Sequence, residues 1–185
     1  LTSNHPDQIK RVMDAGANGV MVPMIKSASD AEAAVQAVYY PPQGNRGVGL
    51  ARAQGYGAEF QKYRDWLEKN AVIIAMIEHI DAVNSIDAIL SVDGIDAYII
   101  GPYDLSSSMG HIGEFNQPKV ISAIEKVLKA GKKLGKPGGI HVVEPNQEEL
   151  RKRIATGFSF IGYSLDIRIL DTLCRKHIQN IRANL

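Results

Sequence analysis

The chain has 185 residues, enough for one domain with a real core; 45% are hydrophobic and 22% charged, the balance of an ordinary folded protein. A net charge of +1 gives no basic field that would favour nucleic acid or an anionic membrane surface. The apolar runs fall well short of the roughly 20 residues that cross a bilayer, and Cys174, the only cysteine, excludes an internal disulfide and a cysteine-based metal cluster.

The start, Leu1-Thr2-Ser3-Asn4-His5-Pro6, is polar and carries no signal-peptide pattern, so cytoplasm is the expected compartment. Pro6 suits a first helical position, and Ile9, Val12 and Met13 share a face, which predicts a helix over 6–16 closed by Gly16. Val20 to Met24 reads as a short buried strand with Pro23 at its end, where no ladder donor is needed. A second helix starts at Ser27 or Ser29, carries Asp30 and Glu32 in its first turn, and runs to about Tyr39 before Pro41 and Pro42 stop it. Gly44 to Gly49 is a glycine-rich loop that precedes no clear phosphate-cradling helix. The stretch holding Tyr56, Phe60, Tyr63 and Trp66 is expected to be partly helical, with Phe60 and Trp66 as core or interface anchors.

Ala71 to Ile77 is a second apolar strand, followed by a helix over 82–90 and a third strand, Ile95 to Ile100, that ends in Gly101-Pro102-Tyr103-Asp104. A long helix over 118–134 is ended by Gly135 and Pro137. Then come a strand over 139–143, a helix from Pro145 to about Ala155, a strand over 158–163 and a last helix over 167–181. Asp166 is the expected N-cap of that helix, Cys174 is expected to be buried on it and His177 to be exposed. Apolar strands alternating with amphipathic helices predict a parallel sheet buried on both faces, in a single α/β domain over 1–185. No Gly-x-Gly-x-x-Gly opens a helix after a strand, so a dinucleotide fold has no local support.

Function in parallel α/β folds sits at the C-terminal ends of the strands. Glu78 ends the second strand and Asp104 lies just beyond the third. Neighbouring parallel strands lie about 4.8 Å apart, and carboxylates that close repel unless a cation sits between them or one is protonated. A hard divalent ion with oxygen ligands is the natural occupant; Mg²⁺ would take both carboxylates, keep waters and leave room for a chelating substrate. The local alternatives are an ion pair from Glu78 to a lysine or arginine, and Asp104 capping the turn before Leu105-Ser106.

Four blocks carry a resemblance: Gly16 to Met24, Tyr40 to Gly49, Ile77-Glu78, and Gly94 to Ser106 with its Gly-Pro-Tyr-Asp-Leu-Ser core. In this order they resemble the 4-hydroxy-2-oxoheptanedioate aldolase (HpcH/HpaI) family and cover nearly the whole chain. The resemblance implies a (β/α)₈ TIM barrel of which this chain supplies about the last five βα units. A barrel typically needs about 250 residues, so the first two units and the third strand are expected upstream of Leu1. It implies a class II aldolase, an aldehyde-lyase, with Glu78 and Asp104 holding Mg²⁺ or Mn²⁺, Co²⁺ being a further candidate. Its substrates would be a 2-oxo acid, pyruvate, and an aldehyde. Backbone amides near Tyr103 and Asp104 would hold the substrate carboxylate, and the metal would stabilise the enolate. The family's histidine base and its arginine have no matching position here and are expected upstream as well. Arg46 lies in a loop that borders the site in the family, with Arg52 and Tyr56 beside it. Met76 stands where many relatives carry glutamine, on the same side of the strand as Glu78, and is counted among the substrate-side positions. His79 is expected to turn away from the ion, His111 to come within reach of substrate, and His141 to be satisfied in the core. A homo-oligomer is expected, with no nucleic acid or membrane partner. Two other readings stand beside the aldolase: an acyl-coenzyme A lyase or decarboxylating relative, and an inactive, truncated metal-binding or interaction module.

Overall fold

Strands and helices alternate from the first residues in the computed structural model, which describes residues 1–183. Two compact units are present, Leu1–Gly138 and a second from Gly139 onward. In the first, α1 (Pro6–Asp14) is capped by His5, whose Nδ1 accepts from the Asp7 amide. Gly16, at φ 101°, makes the left-handed turn into β1 (Gly19–Val22). Ser27 caps α2 (Ala28–Val38), its Oγ accepting from the Asp30 amide. A 3₁₀ turn (Arg52–Gly57) and α3 (Phe60–Asn70) lead to β2 (Val72–Ile77). Then follow α4 (Ile80–Asn84), α5 (Ile86–Leu90), β3 (Ala97–Ile100), α6 (Pro102–Ser108) and α7 (Pro118–Lys133).

β1 pairs in parallel with β2, Met21 opposite Ile74, and β2 pairs in parallel with β3, Met76 opposite Ile99. Alternation then sorts the side chains. Val20, Val22, Ile73, Ala75, Ile77, Tyr98 and Ile100 are buried, as are the helix positions Ile9, Met13, Ala34, Val38, Ile89 and Val127. Met21, Ile74 and Met76 project to the other face and are partly exposed. Tyr98 is fully buried and lies so close to Gly131 of α7 that a Cβ there would overlap its ring.

In the second unit, β4 (Gly138–Val142, its first residue closing the first unit) pairs in parallel with β5 (Phe160–Tyr163) from Gly139 onward. Between them α8 (Gln147–Thr156) is capped by Asn146, whose Oδ1 accepts from the Glu148 and Glu149 amides, and ends at Gly157 in the left-handed region. The last helix, α9, spans Asp166–Arg182.

Several expectations are corrected. The helix over 82–90 is two short helices meeting at Ser85, a residue that readily trades helical for local hydrogen bonds. α6 is a further helix not expected from the sequence, its two turns being too short to show a period. Leu165 rather than Asp166 is the N-cap of α9; Asp166 lies inside the first turn, its Oδ1 accepting from the Ile167 amide. Cys174 is exposed. Among the described residues, no helix is long and apolar enough to cross a membrane.

Candidate active site

β2 delivers Glu78 one residue past its end, and only 6% of that residue is exposed. Its Oε1 accepts from the Met24 amide at 2.8 Å. Met24 lies two residues beyond β1 with φ at 54°, a left-handed conformation that a non-glycine residue rarely adopts. The chain leaving β1 thereby turns an amide toward the carboxylate and leaves the Met24 side chain 43% exposed.

On the other side stands Gly101, just past β3, its amide donating to the Ile77 carbonyl at 3.2 Å. A Cβ at Gly101 would lie 3.0 Å from Glu78 Oε2, 3.1 Å from Glu78 Cβ and 3.9 Å from Met76 Cγ. A residue without a side chain makes room for the carboxylate there. The same contacts put Met76 beside Glu78, on the face that strand alternation indicated. α6 starts at once, with Pro102 in its first turn and Asp104 exposed on it.

Burial pushes the Glu78 carboxyl above its ordinary pKa; the Met24 hydrogen bond opposes this, and the charge on Asp104 raises it further. The two acids therefore sense each other. Among the described residues neither has a lysine, arginine or histidine ion-pair partner. The N-cap position of α6 belongs to Gly101, so Asp104 is not a cap. The structure thus shows, among the described residues, neither the ion pair nor the cap. Among the described residues no group of three or more His, Cys, Asp or Glu side chains is gathered for a metal. The donor set is two carboxylates, one of them buried and held in place. It fits a hard divalent ion that keeps waters and takes its remaining ligands from a substrate.

The segment after α6 folds back on it. Ser106, fully buried, donates to the Tyr103 carbonyl at 2.9 Å and accepts from the Gly113 amide at 3.1 Å. The Phe115 ring meets Tyr103 edge-on at 4.8 Å. His111 faces Glu114 at 3.4 Å, and His79 caps α4, its Nδ1 accepting from the Asp81 amide. In the second unit, His141 Nε2 lies 3.4 Å from the Ser164 carbonyl.

Arg46 is not brought to this site. It is 3% exposed, its Nη2 donates to Tyr63 Oη at 3.1 Å, and its guanidinium carbon lies 4.2 Å from the centre of the Tyr40 ring. Tyr63 in turn donates to the Met13 carbonyl at 3.3 Å. Met13 is in the last turn of α1, before β1 begins, whereas Met24 follows its end. The length of β1, at roughly 3.3 Å per residue, separates the Arg46 cluster from Glu78. Sequence reasoning missed the Met24 amide and the close approach at Gly101. The Pro23-Met24 break after β1, and a glycine one residue past β3, were the available signals.

Parallel strands joined by helices, with two acids at the C-terminal ends of adjacent strands, define an α/β protein whose candidate site lies where α/β enzymes hold theirs. The chain belongs to the HpcH/HpaI aldolase/citrate lyase family, whose sequence model matches residues 1–170. It is 38% identical over 169 residues to a pyruvate aldolase of Rhizobium etli, covering 91% of this chain and 65% of that protein. It is 32% identical over 176 residues to a 5-keto-4-deoxy-D-glucarate aldolase of an Enterobacter species, covering 95% and 68%. The solved structure of an HpcH/HpaI family protein from Burkholderia cenocepacia superposes with a TM-score of 0.90 at 31% identity, over 97% of this chain and 71% of that one. The chain thus spans about two thirds of the length of these relatives.

Proposed function

We propose that this chain carries the metal- and 2-oxo-acid-binding end of a divalent-metal aldolase built on a (β/α)₈ barrel. Such an enzyme makes or breaks the carbon–carbon bond between the methyl carbon of pyruvate and an aldehyde. The supporting observation is Glu78: a buried carboxylate held by the Met24 amide, with its charge opposed by Asp104 and, among the described residues, no ion-pair partner. Relatives named pyruvate aldolase and 5-keto-4-deoxy-D-glucarate aldolase support the reaction class. Glu78 and Asp104 would hold Mg²⁺ or Mn²⁺, which would supply a Lewis acid for the negative charge that develops on the oxo oxygen when pyruvate loses a methyl proton. Met24 fixes one oxygen of Glu78, and Gly101 leaves space beside the other. The amides of Tyr103 and Asp104 would take the substrate carboxylate, with Met76 beside Glu78 as an apolar neighbour.

Solvent-deuterium exchange into the methyl group of pyruvate, followed by NMR, tests this without knowledge of the aldehyde. Exchange should require Mg²⁺ or Mn²⁺, stop on chelation, and be lost in Glu78→Gln and Asp104→Asn. Exchange that survives the chelator, or exchange unchanged in Glu78→Gln and Asp104→Asn, would overturn the reading; metal bound without exchange would favour the inactive metal-binding module instead. A homo-oligomer is part of the same proposal. It is supported by α9, which turns Ile167, Leu170, Leu173, Ile178 and Ile181 to solvent, each more than half exposed.

A further inference from the structure

We infer that Ser108 is a positioning residue that fixes Glu78 relative to Asp104; this rests on the reading of those two acids as the holders of a divalent ion. Ser108 is the last residue of α6, the helix whose first turn carries Asp104. Its hydroxyl donates to the Leu105 carbonyl at 2.7 Å, an ordinary local bond for a serine near a helix end. The same oxygen accepts from the Ile80 amide at 3.0 Å, and that second bond is not local: it spans 28 residues. Ile80 opens α4, so its amide has no intrahelical partner. It also lies two residues after Glu78. One hydroxyl therefore ties the backbone leaving Glu78 to the helix that presents Asp104.

Glu78 is restrained from two directions. The Met24 amide holds Oε1 from the β1 side. Ser108 holds the following backbone from the α6 side. Metal–oxygen distances tolerate only about ±0.2 Å, so a shift at the start of α4 moves a donor out of range while leaving the strands paired. Ser106 has a different task on the same helix, because its hydroxyl receives the Gly113 amide and secures the returning segment. Ser107 is exposed and serves as the matched control.

The experiment is a Mn²⁺ titration of the chain, followed by electron paramagnetic resonance and calorimetry, for the wild type, Ser108→Ala, Ser108→Thr and Ser107→Ala. Loss of a group that orients a metal ligand typically weakens affinity about 10- to 100-fold, and that loss is expected for Ser108→Ala, with circular dichroism unchanged. Ser108→Thr keeps the hydroxyl and should restore affinity, and Ser107→Ala should match the wild type. Wild-type affinity in Ser108→Ala sinks the inference while leaving the metal site standing. No Mn²⁺ binding by the wild type removes the metal site and this inference with it. Should Ser108→Ala fail to fold, hydrogen exchange of the Ile80 amide in the wild type reads the same coupling. Mn²⁺ should slow that exchange, and an unchanged rate overturns the inference.

Discussion

Replacing Gly101 by alanine adds one methyl group where Glu78 already fills the space. The backbone at Gly101, φ −94° and ψ 96°, is open to any L-residue, so the cost is one of contact alone. The added carbon would lie 3.1 Å from Glu78 Cβ and 3.0 Å from Oε2. Carbon atoms pack best at about 3.5–4.0 Å, so a few tenths of an ångström must be found. Oε2 can swing away, but Cβ moves only with the β2 backbone, and Oε1 is held by Met24. Overpacking of this kind costs about 1–3 kcal/mol, and a single tight carbon contact puts Gly101→Ala near the lower end. At about 2–4 °C per kcal/mol for a chain of this size, the metal-free protein should melt roughly 2–8 °C lower. Mn²⁺ affinity should fall by about 10-fold or more, because the displaced group is the donor. Thermal melts in chelator and in graded Mn²⁺ read both effects. Gly47→Ala is the control, since its Cβ would meet nothing within 4 Å. A Gly101→Ala protein that melts and binds Mn²⁺ like the wild type would refute the packing argument and, with it, the placement of the carboxylate.

Arg46→Lys loses the planar contact with Tyr40 and the bond to Tyr63, and should cost about 1–3 kcal/mol on urea unfolding; Mn²⁺ affinity should not change, and a loss would place Arg46 near the ion after all. Gly131→Ala should destabilise, although alanine in a helix interior normally gains about 1 kcal/mol over glycine, because its Cβ would overlap the Tyr98 ring; a higher melting temperature would contradict that packing. Burial pushes the Tyr98 phenol up from 10 to about 12, so its contribution to stability is complete below pH 10 and is lost as pH rises through about 12. At about 1.4 kcal/mol per unit the loss is about 2–3 kcal/mol, and Tyr98→Phe should show a flatter stability profile across that window; parallel profiles would contradict the assignment.

Strands and acids were legible in the sequence for the same reason. Val20 to Val22 and Ala71 to Ile77 are unbroken apolar runs of strand length, and a charged residue directly after such a run must lie at a sheet end. Glu78 follows from that pattern, and Asp104 from the Gly-Pro turn that breaks the chain after Ile100. What the pattern cannot carry is direction. Arg46 stands in a polar, glycine-rich loop, and nothing local shows that its side chain turns inward onto Tyr40 and Tyr63, which lie on different elements. Likewise the period of α9 shows a stripe but not whether anything covers it, so Cys174 was expected inside and is exposed. The Met24 amide depends on a backbone angle that no side-chain pattern encodes.

A buried carboxylate can be structural or functional, and its effect on stability separates the two. Glu78 has its pKa raised, chiefly by burial, so at neutral pH its ionisation opposes folding rather than supporting it. Glutamine keeps the oxygen that receives the Met24 amide and removes the charge. In chelator, Glu78→Gln should therefore melt at or above the wild type. Saturating Mn²⁺ reverses the order: a ligand at 100 times its dissociation constant adds about 2.7 kcal/mol to the protein that binds it, and only the wild type binds. A crossing of the two melting temperatures between chelator and Mn²⁺ is the signature of an acid kept at a cost to the metal-free fold. If Glu78→Gln instead melts lower in chelator, the carboxylate is holding β1 and β2 together, and the Met24 bond is a structural clamp rather than the orientation of a metal ligand.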